Sequence, residues 1–97
     1  MDRIAASSKE YVKIPVATTT EGVTLETLPV EVALVVSGAD PEEDDWQTAA
    51  WDEGQARVLV GPGGAITLAP RRTYTAWVRV TGDTEVPVIR AGEIGTY

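Results

Sequence analysis

Apolar and polar positions alternate with a period of two through most of this chain, a pattern that predicts strands rather than helices. From Glu10 onward, Val12, Ile14 and Val16 fall on one face and Tyr11, Lys13 and Pro15 on the other. Pro15 has no N–H to give to a ladder, so this strand is expected at a sheet edge. Ser7-x-x-Glu10 offers a capping box for a helix, but the Val/Ile alternation that follows does not continue one. Next, Val23 and Leu25 face inward and Thr24 and Glu26 outward in a strand running to Leu28, and Pro29 breaks the register. Val30, Val32, Leu34 and Val36 then line one face, with Glu31, Ala33 and Val35 opposite. This is the strongest strand signal in the chain and the best candidate for a central strand.

The second half continues the pattern. Asp40 to Asp45 are turn-prone and acidic, and can form one helical turn with Asp40 as N-cap and Pro41 at the first helical position. Trp46 and Trp51 stand five residues apart, on opposite faces of a regular strand unless a bulge intervenes, and at least one is expected to plug the core. Asp52-Glu53-Gly54 reads as a turn, followed by a strand in which Ala56, Val58 and Val60 alternate with Arg57 and Leu59. Gly61-Pro62-Gly63-Gly64 is a tight turn, with Pro fixing φ at its second position and Gly supplying a positive φ at its third. Ala65 to Leu68 are expected as a short strand, and Tyr74, Ala76, Val78 and Val80 face inward in the next one while Thr75, Trp77 and Arg79 face outward. Thr81 to Glu85 close a hairpin, and Val86 to Tyr97 supply the last strand, with Gly92 a bulge.

Seven or eight short strands at this spacing are the signature of an all-β antiparallel sandwich. The spacing Leu68, Pro70, Tyr74 resembles the entry to strand F of immunoglobulin-like and fibronectin III-like domains. There a "tyrosine corner" ties the turn to the strand through the phenol, whose OH bonds a backbone group a few residues upstream. The expected organisation is a single Ig-like domain over residues 1–97, with residues 1–8 as an N-terminal arm.

Composition narrows the chemistry. Ninety-seven residues make one domain, which buries about 60–65% of the surface its unfolded chain exposes. With no Cys and no His, the commonest general base, the commonest metal ligand and the thiolate nucleophile are all missing. The expectation is a non-enzyme with no catalytic residue, no cofactor and no metal. A net charge of −7 argues against nucleic acid as a partner, because binding a phosphate backbone needs a basic footprint. No apolar stretch reaches the length of a signal peptide core or a membrane span, so no membrane is expected and synthesis in a cytoplasm is.

Four features could carry chemistry. The acidic residues Asp40, Glu42, Glu43, Asp44 and Asp45 could coordinate Ca²⁺ or supply a glycosidase pair, but they lack the alternating spacing and the Gly of an EF-hand loop. A solvated loop is the reading they fit best. Gly61 to Gly64 lack the Lys-Ser/Thr of a phosphate loop and are read as a turn only. Arg71 and Arg72 could seize a partner carboxylate bidentately or simply be solvated at a turn tip. Trp77 and Arg79 point outward together, and either form an interface hot spot or are a Trp lying over the sheet with Arg stacked on it. The partner-interface candidates are thus Trp77, Arg79, Arg71 and Arg72.

Four stretches taken together carry a further resemblance: Asp-Trp-x-x-Ala-x-Trp at 45–51, Ala-Arg-Val-Leu-Val-Gly-Pro-Gly-Gly at 56–64, Leu-x-Pro-x-x-x-Tyr-x-x-Trp-Val-Arg-Val at 68–80, and Pro-Val-Ile-Arg-Ala-Gly at 87–92. Over residues 9 to 94 the chain resembles short Ig-like structural proteins of tailed bacteriophages, particularly those of actinobacteria. Where the family's turn before the tyrosine has Gly, this chain has Arg71-Arg72. The resemblance implies a non-enzymatic virion protein docked in multiple copies on capsid, portal or connector, or tail subunits, at the head-tail junction, on the capsid or on the tail. A reading from another class is a carbohydrate- or cell-surface-binding adhesion module with Trp46, Trp51 or Trp77 as a stacking platform.

Overall fold

The computed structural model describes residues 2–16, 27–82 and 86–97. Two sheets enclose one core. The larger has the order β1 (Asp2–Ile4), β8 (Val88–Thr96), β7 (Thr73–Val80), β3 (Val30–Val36), β4 (Gln47–Thr48), and the smaller has β2 (Glu10–Pro15), β6 (Gln55–Val60), β5 (Ala50–Asp52). Every pairing between described strands is antiparallel except β1 on β8, which is parallel. The chain is all-β, with no α-helix among the described residues.

The inward phase of each strand fills the space between the sheets. Val12 and Ile14 of β2 and Ala56, Val58 and Val60 of β6 meet Val30, Val32 and Leu34 of β3, Tyr74, Ala76, Val78 and Val80 of β7, and Ile94 of β8. Pro15 lies in β2, which among the described residues pairs with β6 alone and so is an edge there, as its missing N–H favours. β3 is interior to its sheet, between β7 and β4. Gly63 takes the positive φ of 78° that the 61–64 turn needs, and the Gly64 N–H closes it on the Gly61 carbonyl at 2.9 Å. In β8 the register slips opposite Ala76 and Trp77, at Gly92 with φ 144°, the position read as a bulge.

Four expectations need correction. Residues 65–68 are not a strand: Ala65 and Ile66 both give their N–H to the Leu59 carbonyl, because the 61–64 turn folds them back onto the end of β6. Ile66 keeps only an isolated bridge to Val60. Trp46 and Trp51 do not share a strand. The chain leaves the large sheet at Thr48 and enters the small one at Ala50, so the tryptophans part company by changing sheets rather than by strand alternation. Val36, expected inside, is exposed at the end of β3, whereas Ala33 and Val35, expected outside, are buried. The acidic turn is a 3-10 turn over Glu43–Asp45, later than expected and without Pro41.

Residues 2–4 of the expected arm form a strand, β1. The strand expected at 23–28 lies outside the described residues, except for Thr27 and Leu28. Residues 83–85 of the expected 81–85 hairpin lie outside them too.

Candidate interaction surface

The tyrosine corner positions the strand that carries most of the candidate residues. The Ala69 N–H donates to Tyr74 Oη at 2.8 Å, with Tyr74 and Leu68 buried and Pro70 exposed at the turn. Thr96, from the far end of the chain, completes the corner. Its hydroxyl donates to the Ala69 carbonyl at 2.6 Å and accepts the Arg72 N–H at 2.9 Å. Both backbone groups of Ala69 are thereby satisfied by side chains. Arg71 sits here with φ 53°, in the left-handed region where Gly would be natural, and its side chain and that of Arg72 are exposed.

With Tyr74 facing in, the alternation of β7 sends Thr75, Trp77 and Arg79 to the outer face. Beside them stand Glu31, Ala33 and Val35 of β3 and Val88, Arg90 and Glu93 of β8. This face is not bare, because residues 37–46 run back across it as a strap. At one end the Ser37 N–H donates to the Thr73 carbonyl at 2.9 Å, and Ser37 Oγ donates to Glu93 Oε2 at 2.8 Å. At the other end Arg79 takes Glu31 in a fork, Nε to Oε1 and Nη2 to Oε2 at 3.0 Å each, and reaches Glu43 Oε1 through Nη1 at 2.7 Å. The same guanidinium lies 4.6 Å from the centre of the Trp46 ring. The Glu43 carboxyl is held below its ordinary value by the hydrogen bond and charge of Arg79, and Arg79 is raised in turn, chiefly by the bond to Glu43. A shallow cavity of about 170 Å³ remains between Gly38, Ala39 and Asp40 of the strap and Thr75, Trp77 and Arg90 of the sheet.

The four candidate interface residues therefore fall in two places. Arg71 and Arg72 are at the corner tip. Trp77 and Arg79 share the outer face as the alternation predicts, with Trp77 half-buried beside the strap and Arg79 engaged by two carboxylates of its own chain. Arg79 stacks on Trp46, not on Trp77. Trp51 packs against the core and its Nε1 donates to the Leu28 carbonyl at 2.8 Å. Among the described residues no group of three or more carboxylates is arranged to hold a metal ion. In the acidic loop, Glu43 is taken up by Arg79, and Asp45 Oδ2 accepts the Glu42 N–H at 2.8 Å. No described helix is long and apolar enough to cross a membrane.

The pattern reading places the last strand at 86–97 but does not show that the edge of β8 over Val88–Glu93 lies open among the described residues. β1 covers the outer edge of β8 only at Ile94–Thr96, and no other described strand lies on that side of Val88–Glu93. All six residues of that segment are exposed. Val88 on the outer face is 49% exposed, and Ile89, opposite buried Val78 and so on the core face, is 41% exposed. The Val80 N–H donates to the Pro87 carbonyl at 3.2 Å, so by antiparallel alternation the amides and carbonyls of Val88 and Arg90 face away from β7. The sequence signal was Val86-Pro87-Val88-Ile89, an apolar run with no alternation for one covered face to explain. No protein family, curated protein or solved structure matches the chain.

Proposed function

We propose that this chain is a non-enzymatic structural component of a tailed-phage virion, an Ig-like module that docks in multiple copies on capsid, connector or tail subunits. The observation that carries the reading is the edge at Val88–Glu93, open among the described residues, where backbone groups without a described partner coincide with exposed Val86, Val88 and Ile89. Exposed sheet edges are the standard site for adding a partner's strand, with main-chain bonds giving affinity and flanking side chains giving specificity. The corner at Tyr74 and the parallel β1 against β8 support the Ig-like assignment. The resemblance over residues 9 to 94 supports the virion setting. For the carbohydrate reading, Trp46 already carries Arg79 on its ring and Trp51 lies against the core, which leaves neither as an open platform.

The test is the double substitution Val88→Lys with Ile89→Lys. Two charges on the edge should leave the isolated domain folded by circular dichroism, since both side chains are exposed. The variant should be lost from purified particles when it replaces the normal protein. Normal incorporation of the folded variant, or tight glycan binding by the isolated wild-type domain, would sink the proposal.

A further inference from the structure

The edge of β8 that no described strand covers can pair with itself, and we propose that its partner strand is the β8 edge of a second copy of this chain, paired antiparallel about a two-fold axis. This deepens the docking reading above and rests on it. Three observations carry the proposal. Among the described residues the segment Val88–Glu93 presents unpaired backbone groups next to exposed apolar side chains, and β1 stops at Ile94, so a second strand can lie along the segment without displacing anything described. A two-fold contact must use one patch twice, so each residue meets its partner's counterpart in reversed order.

The charges satisfy that requirement. Arg90 and Glu93 sit on the same face of β8, opposite Trp77 and Thr75 respectively. When Val88–Glu93 pairs antiparallel with itself, Arg90 faces Arg90 of the other copy, and the cost of that like pair is offset because each Arg90 also stands diagonally across from Glu93 of the other copy, within reach for side chains of that length. The symmetry makes this contact twice. Among the described residues the Arg90 side chain has no ion pair or hydrogen bond, and the Glu93 carboxylate is held only by Ser37 Oγ. The same pairing covers Val88 and Ile89, whose exposure nothing else described accounts for.

A charge swap tests the pairing, read by sedimentation equilibrium of the full chain over a range of concentrations. The wild type should show a monomer–dimer equilibrium. Arg90→Glu and Glu93→Arg should each weaken it by about tenfold, since each creates two like-charge contacts, and the double variant R90E/E93R should restore it. A wild type that stays monomeric, or a double variant no tighter than the singles, overturns the proposal. Should a variant fail to fold, amide exchange on the wild type decides: protection of Val88 and Arg90 that rises with protein concentration supports the edge, and protection independent of concentration refutes it. The two proposals fail separately. A chain that is monomeric yet incorporated into particles removes the self-pairing alone, and one that dimerises but is absent from particles removes the virion role alone.

Discussion

At the scale of single residues, the Ala69 peptide is the point where the fold is tied. Tyr74 Oη accepts its N–H and the Thr96 hydroxyl donates to its carbonyl, both from buried residues. Tyr74→Phe removes one bond and leaves the Ala69 N–H without that partner, which costs about 1–2 kcal/mol by the usual range for a hydrogen bond and its stranded partner. Thr96→Val keeps the shape and removes the acceptor of the Arg72 N–H as well, for a loss of about 1–3 kcal/mol. Because both side chains hold one peptide, the double variant should lose less than the sum of the two. Urea unfolding of the four proteins measures this, and strict additivity would mean the two bonds act independently. The tyrosine half of the corner was legible because Leu68, Pro70 and Tyr74 are close in sequence. Thr96 was not, since its contact with Ala69 spans 27 residues and no local pattern reaches that far.

At the scale of elements, the strap over residues 37–46 explains why the outer face of β3 and β7 departs from simple alternation. Composition marks Asp40–Asp45 as polar, and Asp40 to Asp44, apart from half-buried Pro41, are indeed exposed. What composition cannot convey is that one of these carboxylates is tied to the sheet by Arg79, which converts a solvated loop into a cover. The outward phase of Arg79 was readable; its partners were not, because Glu31 lies 48 residues away and Glu43 lies 36. The latch has a definite pH dependence. Glu43 is held below its ordinary value of 4.5, so its contribution is fully present above that value and is lost as the pH falls through the depressed one. The indole N–H resonance of Trp46, stacked on Arg79, should therefore shift on acidification below pH 4.5, and Glu43→Gln should abolish the shift. An unchanged acid shift in the Gln variant would place the titrating group elsewhere. The stability effect should be small, because the Glu43 side chain is 81% exposed and water screens the pair.

At the scale of the whole molecule, periodicity identifies strands but does not divide them between sheets. β4 and β5 are nearly continuous in sequence yet belong to different sheets, and the division depends on which core residues each strand can reach. Exposure of an edge is also a property of the assembled sheet, so Val88–Glu93 reads as one more strand until β1 is seen to stop short of it. Net charge then sets the terms on which two such molecules meet. Each copy carries −7, and this repulsion acts at long range, where salt screens it over a Debye length of about 8 Å at physiological ionic strength. The proposed diagonal contact between Arg90 and Glu93 of two copies acts within a Debye length and is less easily screened. If net charge governed association, Arg90→Glu, two units more negative, would weaken it, and Glu93→Arg, two units less negative, would strengthen it. Edge pairing predicts instead that both weaken it. Raising the salt from about 0.05 to about 0.5 M should tighten the wild-type dimer, as the long-range repulsion fades. Sedimentation of the three proteins at both salt concentrations separates the two accounts, and a Glu93→Arg variant that dimerises more tightly than wild type at low salt would assign the association to net charge alone.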